Sequence, residues 1–208
     1  MNESLESSKQ SVAKEINLLS ELGYEHSMKL DKSRFTENLI RLNSLRFRKW
    51  IFEPGMLFSS EEKWWGDKGR RVRRHNGLDM RLYETDEGKH KAIGRGTIIP
   101  IIYTGRVTGI IRDVIGFTLF AAHGIYDGDF QLYTIYGHVI QTADVSIGAF
   151  VREGAGIATP AGASKRQAPC HLHISVTLVP KAIPPEDLTW QALDKNPDVR
   201  FLDPIEII

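Results

Sequence analysis

A chain of 208 residues with 41% hydrophobic and 25% charged residues can bury a proper core, as one domain with extensions or as two small ones. A formal net charge of +1 gives no global pull towards nucleic acid or a membrane surface. The single cysteine, Cys170, excludes an intramolecular disulfide framework and a thiolate-built zinc site, so any metal must be held by His, Asp or Glu.

The first residues, Met1-Asn2-Glu3-Ser4-Leu5-Glu6-Ser7-Ser8, are acidic and polar, with no basic segment or apolar stretch of the secretory kind. No window approaches the roughly 18 consecutive apolar residues that span a bilayer. Residues 1–50 are expected to be a helical extension. Val12, Ile16, Leu19 and Leu22 fall at helical spacing before Gly23, and a second helix starting after Asp31 or Ser33 would carry Phe35, Leu39, Leu42 and Leu45 on one stripe. Such stripes need a surface to bury them, on the following domain or on a partner. One further expectation is that this segment lies across the functional groove and holds it latent.

Residues 51–74 read as a linker with a Pro54-Gly55 turn, the adjacent Trp64 and Trp65, and the basic run Arg70-Arg71-Val72-Arg73-Arg74. The tryptophans suit a core edge or the wall of a groove, and the arginines suit a solvated face. From residue 75 the pattern becomes that of strands. Ile98–Tyr103, Gly105–Val107, Phe117–Phe120 and Leu132–Tyr136 are short, rich in β-branched and aromatic residues, and punctuated by glycines. Residues 75–179 are therefore expected to be a β domain of antiparallel hairpins, and residues 180–208 an irregular, Pro-rich tail with a short helix near Leu188–Leu193. The fold class is mainly β.

Within the β domain, Cys170-His171-Leu172-His173-Ile174 opens an apolar strand. Side chains alternate along a strand, so His171 and His173 share one face while Leu172 and Ile174 turn to the core. Two imidazoles side by side need polar partners, and a divalent metal is one. At the entrance to the domain stands His75-Asn76-Gly77-Leu78-Asp79. Read as a strand, it puts His75 and Asp79 on one face with the bare Gly77 between them. Two His and one Asp would leave the fourth tetrahedral position of Zn²⁺ to water, the arrangement of a hydrolytic site. Zinc lowers the pKa of that water from about 15.7 towards 7. His138 and one His of the pair remain for proton transfer and oxyanion stabilisation. Parity alone does not say which of His171 and His173 is the ligand. Cys170 is expected to face away from the metal, and His26, His90 and His123 to be surface or structural residues.

The order His-x-x-x-Asp, Tyr-x-His, a Val-x-x-Gly-x-x-Val-x-x-Gly hairpin and His-x-His resembles the lysostaphin-type (LytM-like) zinc metallopeptidases, the murein endopeptidases. The matching residues are His75, Asp79, Tyr136, His138, Val145, Gly148, Val151, Gly154, His171 and His173, over roughly residues 75–178. The resemblance implies Zn²⁺ held by His75, Asp79 and His173, with His138 and His171 catalytic. It also implies hydrolysis of peptide bonds in peptidoglycan cross-links, and hence a place in the cell envelope or periplasm. The approach to the His-x-His strand, Ala163–Cys170, departs from the family's Gly/Thr-rich pattern, which touches substrate preference. Two alternatives stand beside this reading. One is a non-catalytic scaffold of the same fold that binds a partner or wall peptide. The other, a carrier module at Val145–Val151, lacks the lysine such a hairpin needs at its tip.

Overall fold

Asn43 shows how the helix it ends is tied to the β domain. Its side-chain amide donates to the Ile98 carbonyl at 2.8 Å and its oxygen accepts from the Ile98 amide at 2.7 Å, so one side chain mimics a strand partner. In this computed structural model residues 30–163 and 168–208 are described. The stripe at 12, 16, 19 and 22, His26 and residues 164–167 of the loop before Cys170 lie outside the described residues. Residues 32–208 form one unit. Helix α1 spans Phe35–Asn43 and buries Phe35 and Leu39 completely. It ends earlier than the stripe suggests. Ser44 adopts a left-handed conformation (φ 50°) and its amide returns to the Ile40 carbonyl, which places Leu45 beyond the helix.

Strands begin before residue 75. The short β1 (Lys49–Ile51) pairs with β3 (Leu82–Glu84), which pairs with β4 (His90–Ala92) in a three-stranded antiparallel sheet. Three residues are too few to show a period in sequence, but Phe47, Trp50 and Tyr83 supply the packing, with ring centroids 5.1–6.3 Å apart.

The main sheet is built on four antiparallel strands: β6 (Gly105–Arg112), β7 (Phe117–Asp127), β8 (Phe130–Gln141) and β11 (Leu172–Pro180). The short β9 (Phe150–Val151) extends it beside β6, while β10 (Gly156–Pro160) pairs with both β8 and β5 (Ile99–Pro100). At the start of β11, β2 (Leu78–Met80) adds a second neighbour, with His173 opposite Asp79. The sheet is apolar on both faces, so both need cover. On one, Phe120, Tyr133, Ile135 and Val179 pack against Leu188 and Leu193, which come from the segment after Pro180. That segment forms α2 (Trp190–Lys195) and the edge strand β12 (Arg200–Leu202), paired with β11. No helix among the described residues is long and apolar enough to cross a membrane.

Behind the opposite face lies a buried polar chain. His123 Nδ1 reaches the Thr104 carbonyl at 3.1 Å and its Nε2 lies 2.8 Å from Thr134 Oγ1. Thr134 Oγ1 and Tyr136 OH are hydrogen-bonded at 3.0 Å, and the tyrosine oxygen accepts from the Ile102 amide at 2.8 Å. Tyr136 and His123 are fully buried and structural.

Candidate metal centre

The pairing of β2 with β11 brings three electron-pair donors together. His173 Nδ1 lies 2.8 Å from Asp79 Oδ1, His75 Nε2 lies 3.2 Å from the same oxygen, and the two ring nitrogens are 3.2 Å apart. All three side chains are buried, and they are the group of His, Cys, Asp or Glu residues able to hold a metal ion that the described residues contain. Tetrahedral zinc with Zn–N and Zn–O distances near 2.0–2.1 Å needs donor separations of about 3.3 Å, which these approach. The set therefore fits the ion in both chemistry and spacing.

Each donor is oriented from behind. His75 Nδ1 donates to the Leu57 carbonyl at 2.9 Å, which fixes its proton there and leaves the Nε2 lone pair facing the other two donors. His173 Nε2 is engaged by Ser175 Oγ at 2.9 Å, leaving Nδ1 as the inward atom. The second oxygen of Asp79 accepts from Trp64 Nε1 at 2.7 Å and from Arg71 at 3.4 Å. Burial alone would raise the Asp79 carboxyl, but the hydrogen bonds of His173 and His75 outweigh it and hold its pKa well below the usual carboxylate range. Burial pushes His173 down to about 4, opposed only in part by Asp79, so the ring is neutral at physiological pH as metal ligation requires.

His75 does not share a strand with Asp79, contrary to the parity reading. Strand β2 starts at Leu78, and His75 sits in the preceding loop, held by backbone hydrogen bonds to Ser59 and Ser60. Gly77 also serves differently from a gap between ligands. A Cβ there would meet the Ile174 carbonyl and lie 2.7 Å from the His173 ring, so the glycine makes room for that imidazole.

His171 and His138 lie beside the triad. His171 Nδ1 donates to the Pro169 carbonyl at 2.7 Å, and its Nε2 stands 3.8 Å from Asp79 Oδ1. Burial lowers its pKa, with Asp79 pulling the other way. The His138 ring is 4.9 Å from that of His171 and 6.2 Å from that of His173. Strict alternation would turn His138 to the face of Tyr136, away from His173. A β-bulge prevents this, because Gly137 and His138 together oppose the single Thr118 of β7 and His138 takes φ 60°. The two histidines and the triad line one cleft of about 400 Å³, walled by Trp65, Val114 and Ile115 and rimmed by Arg71, Arg73 and Arg74.

Sequence reasoning missed three contributors. Trp64 and Arg71 reach Asp79 from the stretch 51–74, with Arg71 also stacked 4.4 Å over Trp65. Asp113 approaches His138, its Oδ2 being 3.1 Å from Nδ1. The unusual Trp-Trp pair and the Arg run were the available signals for the first two. Cys170 is half-buried and outside the converging triad.

No protein-family model matches the chain, and no curated protein does. Among solved structures it is similar to LytU, at 24% identity over 73% of this chain and 90% of that one, with a TM-score of 0.44. A zinc-containing peptidase from Vibrio cholerae aligns at 22% identity over 69% of this chain, with a TM-score of 0.41. Lysostaphin aligns at 19% identity over 51% of this chain, with a TM-score of 0.37. The chain spans 37% of the length of each of these last two proteins. In the order of its motifs, the chain resembles the lysostaphin-type (LytM-like) metallopeptidases.

Proposed function

We propose that the protein is a zinc-dependent endopeptidase that hydrolyses peptide bonds in peptidoglycan cross-links at the cell envelope. The observation that carries this reading is the convergence of His75 Nε2, Asp79 Oδ1 and His173 Nδ1 within 3.2 Å of one another, each backed by its own hydrogen bond. In this reading those three residues hold the ion. When bound, zinc supplies Lewis acidity and makes hydroxide available at neutral pH.

The chain's own residues then do the rest. His171, with its proton fixed on Nδ1 by the Pro169 carbonyl, offers the Nε2 lone pair as a base beside the triad. His138, across the cleft from it, is placed to take up a proton at Nε2 and then hand it to the leaving amine. Trp64 and Arg71 keep Asp79 turned towards the triad. Trp65, Val114 and Ile115 give the cleft an apolar side against which a peptide can lie, while the arginines at its rim are each paired with a carboxylate of the chain itself.

The test separates ligand from catalyst. Protein purified without chelator is expected to carry about one zinc per chain and to release peptides from purified peptidoglycan, detected by mass spectrometry. His173→Ala should lose the metal. His138→Ala and His171→Ala should keep it and lose at least a hundredfold in turnover. Zinc near zero in a folded protein would support the non-catalytic scaffold instead, and identical behaviour of all three variants would overturn the assignment of roles.

A further inference from the structure

The buried Nδ1 of His138 has no aligned hydrogen-bond partner among the described residues, yet a carboxylate stands beside it. Asp113 Oδ2 is 3.1 Å away, close but off the hydrogen-bond line, as catalytic contacts often are before substrate binds. The carboxylate itself is firmly held. Its Oδ1 accepts from the Val114 amide at 2.6 Å and its Oδ2 from the Thr118 hydroxyl at 3.1 Å. Thr118 Oγ1 in turn accepts from Trp190 Nε1 at 3.1 Å, which ties the group to α2.

Backbone geometry fixes the same pair from the other side. Asp113 opens the β6–β7 hairpin turn, closed by its amide on the Gly116 carbonyl at 3.0 Å. Gly116 has φ 70°, and a Cβ there would lie 2.6 Å from the Val139 carbonyl, so the hairpin tip is pressed against β8 one residue beyond His138. Thr118, which holds Asp113, is the residue opposite the bulge that turns His138 into the cleft. One bulge therefore sets both the direction of the imidazole and the position of the carboxylate behind it.

We propose that Asp113 is a positioning residue that acts through His138, fixing the ring's orientation and its Nδ1–H tautomer so that the Nε2 lone pair faces the cleft. The inference rests on the peptidase reading for its catalytic meaning, but the tautomer can be read without activity. The informative change is Asp113→Asn. The Val114 amide claims the single side-chain oxygen, so the NH₂ group falls where Oδ2 was and faces His138 Nδ1 as a donor. The ring must then move its proton to Nε2, which removes the lone pair from the cleft.

The experiment uses the full zinc-loaded chain and four proteins: wild type, Asp113→Asn, His138→Ala and the double variant. Ring ¹⁵N shifts should report His138 as the Nδ1–H form in wild type and the Nε2–H form in Asp113→Asn. On soluble cross-linked muropeptides, Asp113→Asn should lower kcat at least tenfold with KM within twofold and zinc unchanged. In the His138→Ala background it should cause no further loss. An unshifted tautomer, or an equal fractional loss in both backgrounds, would overturn the proposal. Should Asp113→Asn fail to fold, Thr118→Val removes one of the donors holding Asp113 and is expected to give a smaller loss of kcat with the same non-additivity. If the zinc-loaded wild type cuts no muropeptide, the peptidase reading fails, and the tautomer assignment is still decided by the spectra.

Discussion

At the scale of residues, the site depends on small groups as much as on its ligands. Gly77→Ala would press a methyl group against the Ile174 carbonyl and to within 2.7 Å of the His173 ring. Local overpacking of this kind costs about 1–3 kcal/mol. The variant is expected to unfold at lower temperature and bind zinc more weakly, measured by calorimetry and metal titration. Trp64→Phe keeps an aromatic ring beside His171, whose centroid is 5.1 Å away, and deletes only the N–H that reaches Asp79. Losing such an outer hydrogen bond typically costs ~10–100-fold in metal affinity, which competition with a chromophoric chelator would measure. The identities of the converging groups come from the order of the motifs and the family resemblance it carries, since parity alone leaves His171 and His173 open as the third ligand. Their geometry is less so. Which nitrogen of each ring faces inward depends on the Leu57 carbonyl and Ser175 Oγ, and a backbone carbonyl leaves no mark in the residue letters.

Elements carry a different lesson. The alternation rule puts His171 and His173 on one face, and both approach Asp79, but it sends His138 to the wrong face. The correction is the bulge at Gly137–His138, where a residue is inserted without any change of composition. Gly137 is the one hint, since a Cβ there would come within 3.2 Å of the His173 Cβ. The short β1 is invisible for a simpler reason: three residues show no periodicity, and its stability comes from aromatic packing with β3. Helix α2 is similarly dependent on its setting, because six residues cannot hold a helix alone. It is pinned by Leu193 in the core and by Thr189, whose hydroxyl accepts from the Ala192 amide at 3.0 Å. Thr189→Ala should cost ~1 kcal/mol, seen as a fall in unfolding temperature of about 2–4 °C. Trp190 stands at the head of this helix, with its ring 5.6 Å from that of His173.

The whole molecule answers to pH through groups far from the cleft as well as in it. Burial depresses His123 to about 4 from its ordinary 6.5, so the folded protein keeps this ring neutral where the unfolded chain takes up a proton. A lowered histidine pKa favours the unfolded state in acid. Stability is unaffected above pH 6.5, falls between about 6.5 and 4, and by then has lost about 3 kcal/mol from this residue. Denaturant titrations across that range should show His123→Gln with a slope shallower than wild type by roughly 1.4 kcal/mol per pH unit, one proton's worth. Asp79 adds to the loss at still lower pH, since its depressed pKa stabilises the fold only while the carboxylate stays ionised.

The register of β2 against β11 has a consequence for how the chain holds together. His75 and His173 are 98 residues apart in sequence, and an ion gripped by both would close that span as a reversible cross-link. Closing long spans is where such clips restrict the unfolded chain most. A chain with one cysteine has no covalent means of doing so within itself. The same atom would thus serve as clasp and as reagent, and drawing it out would slacken the fold at the place where the chemistry is done.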